Sequence, residues 1–160
     1  MSQLAQRLQL SDHCGADLQM ENPMVVQAYN GFMAYDPLYH AGCLKETDGS
    51  FCYANAISNV TLAGSSFVYY LPLGVELPGS TQLSCTPCLR NTMSAFSTFA
   101  SDSKQALSTD YAMAASQIDM SCGPRFAKAS VQVNAAVRLP GHQSNLGIAA
   151  LLIGLFFLFS

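Results

Sequence analysis

Cysteine is the residue type that could do the most chemistry in this chain of 160 residues. A thiol binds metal or carries out redox chemistry in a reducing compartment, and forms disulfides in an oxidising one. The redox state of the compartment therefore decides which of these roles the cysteines have. The glycosylation triplet and the tail discussed below favour the secretory route. We predict that all six cysteines form disulfides, with the pairing left open: Cys14, Cys43, Cys52, Cys85, Cys88 and Cys122.

The sharpest short motif is Cys85-Thr86-Pro87-Cys88. A redox pair is one interpretation, because the dipole at a helix N-terminus stabilises a thiolate. That chemistry needs a strand–helix–strand context, which the neighbouring sequence does not supply. A zinc site would need a second pair of ligands, and the other cysteines stand alone. The motif therefore predicts two separate structural disulfides that tie this helix to its neighbours, without a metal or cofactor.

The remaining polar residues give little support to catalysis. His13 and His40 could be metal ligands, but each is isolated. Glu46 and Asp48 could form a carboxylate pair for acid–base chemistry, yet they stand in the polar stretch KETDGS, which is typical of a solvated turn. No phosphate-binding glycine loop, serine-hydrolase motif or zinc-protease motif occurs in the sequence. We therefore predict no catalytic residue, cofactor or metal.

The triplet Asn59-Val60-Thr61 is an acceptor pattern for N-glycosylation. It precedes Gly64-Ser65-Ser66, a flexible stretch that could present the acceptor outward. We predict that Asn59 lies at the surface, at the end of a short element, and carries an N-glycan. Because this modification belongs to the secretory route, the triplet and the cysteines support the same compartment.

Composition narrows the classes of partner. Half of the residues are apolar and 11% are charged, which is low against about a quarter in typical domains. The net charge is −3 and no basic run occurs, so the chain offers no electrostatic footprint for nucleic acid. Its length suits one domain with a modest core.

The C-terminal segment 146–160 is apolar almost throughout. As an α-helix it would extend roughly 22 Å, against a hydrocarbon core of about 30 Å. It also lacks the polar face of a helix that packs on a core. Three interpretations remain open: a tail anchor, a marginal membrane helix, and a signal for attachment of glycosylphosphatidylinositol (GPI).

The GPI interpretation matches the sequence in all three of its parts. Asn134-Ala135-Ala136 supplies small residues, 137–145 is a polar spacer, and 146–160 is the apolar tail. We predict cleavage and lipid attachment at Asn134. Gly141 and Ser144 are weaker candidates, because they leave shorter spacers before Leu146.

Helix signals dominate the body of the chain. Asn22-Pro23 and Thr86-Pro87 each place a capping residue before a proline, and Asp36-Pro37 ends or restarts the first of these helices. Thr109-Asp110 predicts the start of a last helix, which stops at Gly123-Pro124. Residues 51–60 favour a helix slightly over a strand.

The middle of the chain is different. Residues 62–83 contain several prolines and glycines, and predict an extended, loop-rich segment with a short strand at 67–71. Within it, Phe67 and Tyr69-Tyr70 form an aromatic cluster. This cluster either belongs to a small core or forms a surface that recognises sugars or a partner protein.

Together these patterns predict a mainly α protein: a small disulfide-tied helical domain with a central loop-rich segment and a C-terminal hydrophobic tail. We predict four regions along the chain: a short N-terminal helix in 1–13, the cysteine-containing helical domain in 14–130, a polar spacer in 131–145 and the tail in 146–160.

Five stretches of the body, 22–44, 49–59, 69–79, 85–96 and 122–126, resemble a family of fungal secreted or GPI-anchored proteins. That family is defined by a cysteine-containing domain of unknown function, the DUF7729 type. The resemblance implies location at the cell surface and supplies no mechanism. It also implies a signal peptide and further cysteines upstream.

The first residues, MSQLAQRLQLSDHC, do not have the pattern of a signal peptide. We therefore expect the N-terminus to be incomplete, and Cys14 to have lost its partner with it.

The function that these observations favour is a non-enzymatic, GPI-anchored or otherwise membrane-associated glycoprotein of the cell surface or cell wall. Its role would be structural or adhesive, with the membrane and cell-wall glycans or proteins as partners. The alternative is an extracellular enzyme that acts on wall polysaccharide, with Glu46 or Asp48 as its acid–base groups.

Overall fold

The structure is a computed structural model that describes residues 1–132. This part of the chain forms six α-helices and one 3-10 helix, and it contains no strand longer than an isolated bridge. The predicted mainly α class is therefore confirmed. The helices are α1 (Ser2–Leu8), α2 (Gly15–Gln19), α3 (Pro23–Gly42), α4 (Cys52–Ser58), the 3-10 helix (Ala63–Leu73), α5 (Pro87–Phe99) and α6 (Leu107–Cys122).

Two helices begin where their capping residues predict. The side chain of Asn22 accepts a hydrogen bond from the backbone N–H of Met24 at 3.1 Å, and Pro23 opens α3. The Thr86 hydroxyl oxygen accepts from the backbone N–H of Leu89 at 3.4 Å, at the start of α5. Each cap satisfies a backbone donor that the first helical turn leaves free.

Helix α3 neither ends nor restarts at Asp36-Pro37, because it continues to Gly42. Pro37 removes one backbone hydrogen bond inside the helix, which is normally costly. Its side chain is fully buried, as are Ala34 and Ala41 on the same half of α3. Tertiary packing of this half therefore keeps the helix continuous through the proline.

The predicted strand at 67–71 is wrong, since these residues belong to the 3-10 helix. Aromatic and β-branched residues favoured a strand, but the burial has a period of three. Val68 and Leu71 are fully buried, whereas Phe67 and Tyr70 are 44% and 46% exposed. A 3-10 helix has three residues per turn, so it separates these two faces as an alternating strand cannot.

The core lies between α5, α6 and the 3-10 helix. Helix α5 buries one apolar stripe, and α6 buries its inner face. Helix α6 begins at Leu107, earlier than the predicted start at Thr109-Asp110, because Leu107 is fully buried and extends this face by a turn. It ends at Gly123, whose φ of 101° suits a residue without a side chain.

Two disulfides join three helices. Cys52–Cys88 links α4 to α5, and Cys85–Cys122 links the residue just before the cap of α5 to the end of α6. The two cysteines of the Cys85–Cys88 motif therefore bond outward to different helices, as predicted. Each bridge closes a loop of 36 or 37 residues, which by loop-closure entropy stabilises the fold by about 4 kcal/mol.

None of the helices within residues 1–132 is both long and apolar enough to cross a membrane. The predicted attachment residue Asn134, the spacer from 133 onward and the tail at 146–160 lie outside the described residues.

Candidate functional sites

A polar cavity of about 190 Å³ lies beside the Cys52–Cys88 disulfide. It is enclosed by the turn before α4, by α4 itself, by the 3-10 helix and by the first turns of α5. Most of the side chains around it carry hydrogen-bonding groups. The lining residues are Glu46, Cys52, Asn55, Ala56, Asn59, Ser65, Tyr69, Ser84, Thr86, Cys88, Leu89 and Thr92.

Internal hydrogen bonds hold part of this polar wall in place. The Ser65 hydroxyl accepts from the backbone N–H of Ser84 at 2.8 Å, and the hydroxyls of Tyr69 and Thr92 are 3.1 Å apart. Burial raises the pKa of the Tyr69 phenol, so this group stays neutral at physiological pH. The wall thus presents mainly neutral donors and acceptors in fixed positions.

Within the described part of the chain, Glu46 is the one acidic residue that lines the cavity. A carboxylate oxygen of Glu46 and the sulfurs of Cys52 and Cys88 all lie within 4.8 Å of one another. Such a trio could hold a metal ion if the cysteines were thiolates, but here both sulfurs are committed to a disulfide. The structure thus gives the cysteines of the Cys85–Cys88 motif a structural role in place of a redox or zinc role.

Asp48, the second half of the predicted carboxylate pair, does not line the cavity. Its side chain is exposed in the turn and accepts hydrogen bonds from the backbone N–H and hydroxyl of Ser50, at 2.9 and 2.7 Å. These bonds lower the pKa of the Asp48 carboxyl, because they favour its charged form. Asp48 therefore orders the solvated turn that the sequence predicts.

Asn59 stands at the C-terminal end of α4, half-buried, and is also part of the cavity wall. Its side-chain oxygen accepts from the backbone N–H groups of Thr61 and Leu62, at 3.2 and 3.0 Å. The next residue, Val60, is 92% exposed. The acceptor triplet thus forms an ordered surface turn at the end of a short element, where the sequence places it; attachment of a glycan stays a prediction.

An aromatic groove of about 310 Å³ lies between the end of α3, α4 and the 3-10 helix. Its rim carries exposed Tyr53, Ile57 and Tyr70, which are 43%, 57% and 46% exposed. Among residues 1–132, none of those that line it is charged. The lining residues are Leu38, Gly42, Tyr53, Ile57, Ser66, Tyr69, Tyr70 and Leu73.

The rings around the groove are held by packing. The ring of Tyr53 meets the buried ring of Tyr69 edge to face, with centroids 4.8 Å apart, and Tyr69 meets Phe96 of the core in the same way at 6.3 Å. Phe67 and Tyr70 are adjacent at 6.3 Å. Tyr69 therefore belongs to the core, whereas Tyr70 and Phe67 lie at the surface. Recognition of sugars or of a partner protein by these exposed rings stays a prediction.

Sequence reasoning missed the side of the groove that α3 and α4 supply. Tyr53 and Ile57 are four residues apart, as are Leu38 and Gly42, and this spacing places each pair on one face of a helix. The spacing could have indicated an apolar face on the short α4. It could not indicate that this face opens toward Tyr70.

The two other cysteines form no disulfide within the described part of the chain. Cys14 directly precedes α2, and Leu18 of α2 lies beside Tyr29 in the first half of α3. Cys43 is exposed and follows the end of α3. About 20 Å of helix separates Tyr29 from Cys43. The structure therefore does not join these two cysteines to each other. Their predicted oxidation stays a prediction.

Taken together, the fold defines a small helical domain that is cross-linked by disulfides and carries an uncharged aromatic groove. The profile of one family, described as a domain of unknown function (DUF7729), matches residues 1–131. The chain belongs to this family. No match was found among curated proteins or among solved structures.

Proposed function

We propose that this protein is a GPI-anchored glycoprotein of the cell surface or cell wall, with a structural or adhesive role and no catalytic role. The observation that carries the adhesive part is the aromatic groove, whose exposed tyrosines are fixed by ring packing on a frame with two disulfides. Rigid, exposed tyrosine rings are effective recognition groups because they lose little conformational entropy on binding.

The character of the groove favours a neutral partner. Its wall has phenol rings and aliphatic side chains and no charge, so it offers nothing to balance an ionic ligand. Neutral polysaccharide chains of a cell wall have apolar ring faces that stack on aromatic side chains and hydroxyls that bond phenol oxygens. Such binding needs no acid–base pair.

Adhesion is tested by binding of the released protein to insoluble wall polysaccharide. We expect Tyr53→Ala and Tyr70→Ala to weaken binding about tenfold or more each, since each removes an exposed ring from the groove. Tyr35→Ala is the matched control, because Tyr35 is 46% exposed but does not line the groove. Equal binding by all three variants would contradict an adhesive groove.

The same preparation tests the enzymatic alternative. Turnover of wall polysaccharide that is abolished by Glu46→Gln would show that the polar cavity is an active site and would overturn the non-catalytic proposal. Glu46 is the residue to change because its carboxylate lines the cavity, whereas Asp48 is engaged with Ser50 in the turn.

The anchor is tested by placing the full chain behind a signal peptide and treating the cells with phosphatidylinositol-specific phospholipase C. We expect the enzyme to release the protein, and Asn134→Trp or Ala136→Trp to block attachment, because the cleavage site requires small residues. Gln143→Trp in the spacer is the control. Retention after phospholipase treatment, with 146–160 still present by mass spectrometry, would show that the tail is a membrane helix.

A further inference from the structure

The acceptor asparagine and the buried disulfide share one cavity. Asn59 and the two sulfur-bearing residues Cys52 and Cys88 all line the same space of about 190 Å³. The disulfide itself is shielded by protein, since Cys52 is 1% and Cys88 is 7% exposed. A group attached to Asn59 would therefore start next to the route by which solvent reaches this disulfide.

The backbone turn that follows Asn59 holds the acceptor side chain in one orientation. The side-chain oxygen of Asn59 is held by the N–H groups of Thr61 and Leu62. Its nitrogen, the atom to which a glycan is joined, makes no hydrogen bond within residues 1–132. The hydrogen bonds to its oxygen thus orient the Asn59 amide, and its nitrogen stays free for modification.

The cavity has the size and chemistry of a site for a single sugar ring. It is smaller than the range of about 300–1,000 Å³ that is typical of sites for drug-sized ligands. The Glu46 carboxylate can accept hydrogen bonds from sugar hydroxyls, and the hydroxyls of Ser84 and Thr86 can donate or accept. The first sugar of an N-glycan, N-acetylglucosamine, carries hydroxyls and an acetamide that match these groups.

We propose that the first sugar of a glycan on Asn59 packs over the polar cavity and shields the Cys52–Cys88 disulfide from reductants. This inference rests on the proposed function, because it requires the chain to pass through the secretory route. It gives the modification a physical role in the fold: the sugar covers polar groups around a bridge that closes 36 residues of chain. The Cys85–Cys122 disulfide, in which Cys85 is exposed and Cys122 is half-buried, lies outside this cavity.

The test compares rates of disulfide reduction in the secreted full chain. Dithiothreitol is added, thiols are alkylated at intervals, and mass spectrometry follows the two disulfides separately. We expect the glycan on Asn59 to slow reduction of Cys52–Cys88 several-fold relative to Asn59→Gln, and to leave Cys85–Cys122 unchanged. Cys85–Cys122 serves as the internal control, since neither of its cysteines lines the cavity that Asn59 lines.

Two further arms separate contact by the first sugar from bulk shielding. Endoglycosidase H leaves one N-acetylglucosamine on Asn59, and we expect this trimmed protein to keep the full protection. In an Asn59→Gln background, Gly79→Asn creates a new acceptor before Ser80-Thr81, at an open position. A glycan there should not protect Cys52–Cys88.

Equal reduction rates for the trimmed protein and Asn59→Gln would overturn this inference alone, as would equal protection from a glycan at position 79. A protein that passes through the secretory route with Asn59 unmodified would overturn both this inference and the glycoprotein part of the proposed function. The two failures are therefore distinguishable by the mass of the peptide that contains Asn59.

Discussion

Tyr111 connects the two helices that flank the core. Its ring is 1% exposed, and its hydroxyl donates a hydrogen bond to the backbone carbonyl of Met93 at 3.1 Å. Burial raises the pKa of the Tyr111 phenol from 10.0 to about 12. The folded protein therefore keeps this proton over a range in which the unfolded chain loses it. This stabilisation is complete below the unfolded pKa and is lost as pH rises through the folded pKa.

Replacing Tyr111 by phenylalanine tests that linkage. We expect Tyr111→Phe to lower the free energy of unfolding at neutral pH by about 1 kcal/mol, through loss of one hydrogen bond. We also expect the decline in stability under alkaline conditions to become shallower, because phenylalanine has no phenol whose pKa differs between the folded and unfolded states. Urea unfolding at neutral and alkaline pH measures both. An alkaline decline as steep as that of the unmodified protein would assign the effect to another group.

Gln105 is a buried polar residue whose replacement we expect not to lower the free energy of unfolding. It is 8% exposed, and its side-chain oxygen has no hydrogen-bond partner within residues 1–132. We expect Gln105→Met, which keeps the length of the side chain, to leave the free energy of unfolding unchanged or raise it by about 1 kcal/mol. Gln117→Met is the control, because Gln117 donates to the Pro78 carbonyl at 2.6 Å. Chemical denaturation should therefore give Gln105→Met a higher free energy of unfolding than Gln117→Met.

At the scale of elements, Thr86 and Thr109 are both predicted helix starts, but only Thr86 caps a helix in the structure. We expect Thr86→Ala to lower the free energy of unfolding by about 1 kcal/mol, because the Thr86 hydroxyl caps α5. Thr109→Ala should be near neutral, since α6 begins at Leu107 and Thr109 is an exposed residue inside it. Thermal unfolding of the two variants measures the difference. Equal losses would contradict these helix boundaries.

The elements that could be predicted from sequence are those whose signals are local. Asn22-Pro23 and Thr86-Pro87 each contain a cap and a proline within two residues, so their helix starts needed no tertiary information. The segment 67–71 was misread because its aromatic and β-branched residues suit a strand. Its actual form depends on burying Val68 and Leu71 in the core that residues of α3, α5 and α6 share, which a single segment does not reveal.

The candidate sites were predictable only in part, for the same reason. Asn59, Cys52, Cys88 and the tyrosines were each identifiable by type. Their grouping was not, since the cavity collects residues from four separate segments and the groove from three. The pairing of Cys52 with Cys88 likewise depends on where α4 packs, and the number of cysteines carries no such information.

At the scale of the whole molecule, the two disulfides meet at the start of α5. Cys88 lies in its first turn and Cys85 just before its cap, and its buried residues share one core with the 3-10 helix and α6. The polar cavity also opens against that turn. The aromatic groove lies on the neighbouring face, where Tyr69 connects it to Phe96 of α5. Oxidation of the two bridges is therefore the condition on which the proposed surface role depends.

The most direct test of this dependence is thiol labelling of the protein taken unreduced from the cells that make it. We expect reactive thiols at no positions other than Cys14 and Cys43. Unreduced peptide mapping should recover Cys52 joined to Cys88 and Cys85 joined to Cys122. Labelling of these four cysteines in the unreduced protein would contradict a disulfide-linked surface domain, would indicate a reducing compartment, and would return the Cys85–Cys88 motif to consideration as a zinc site.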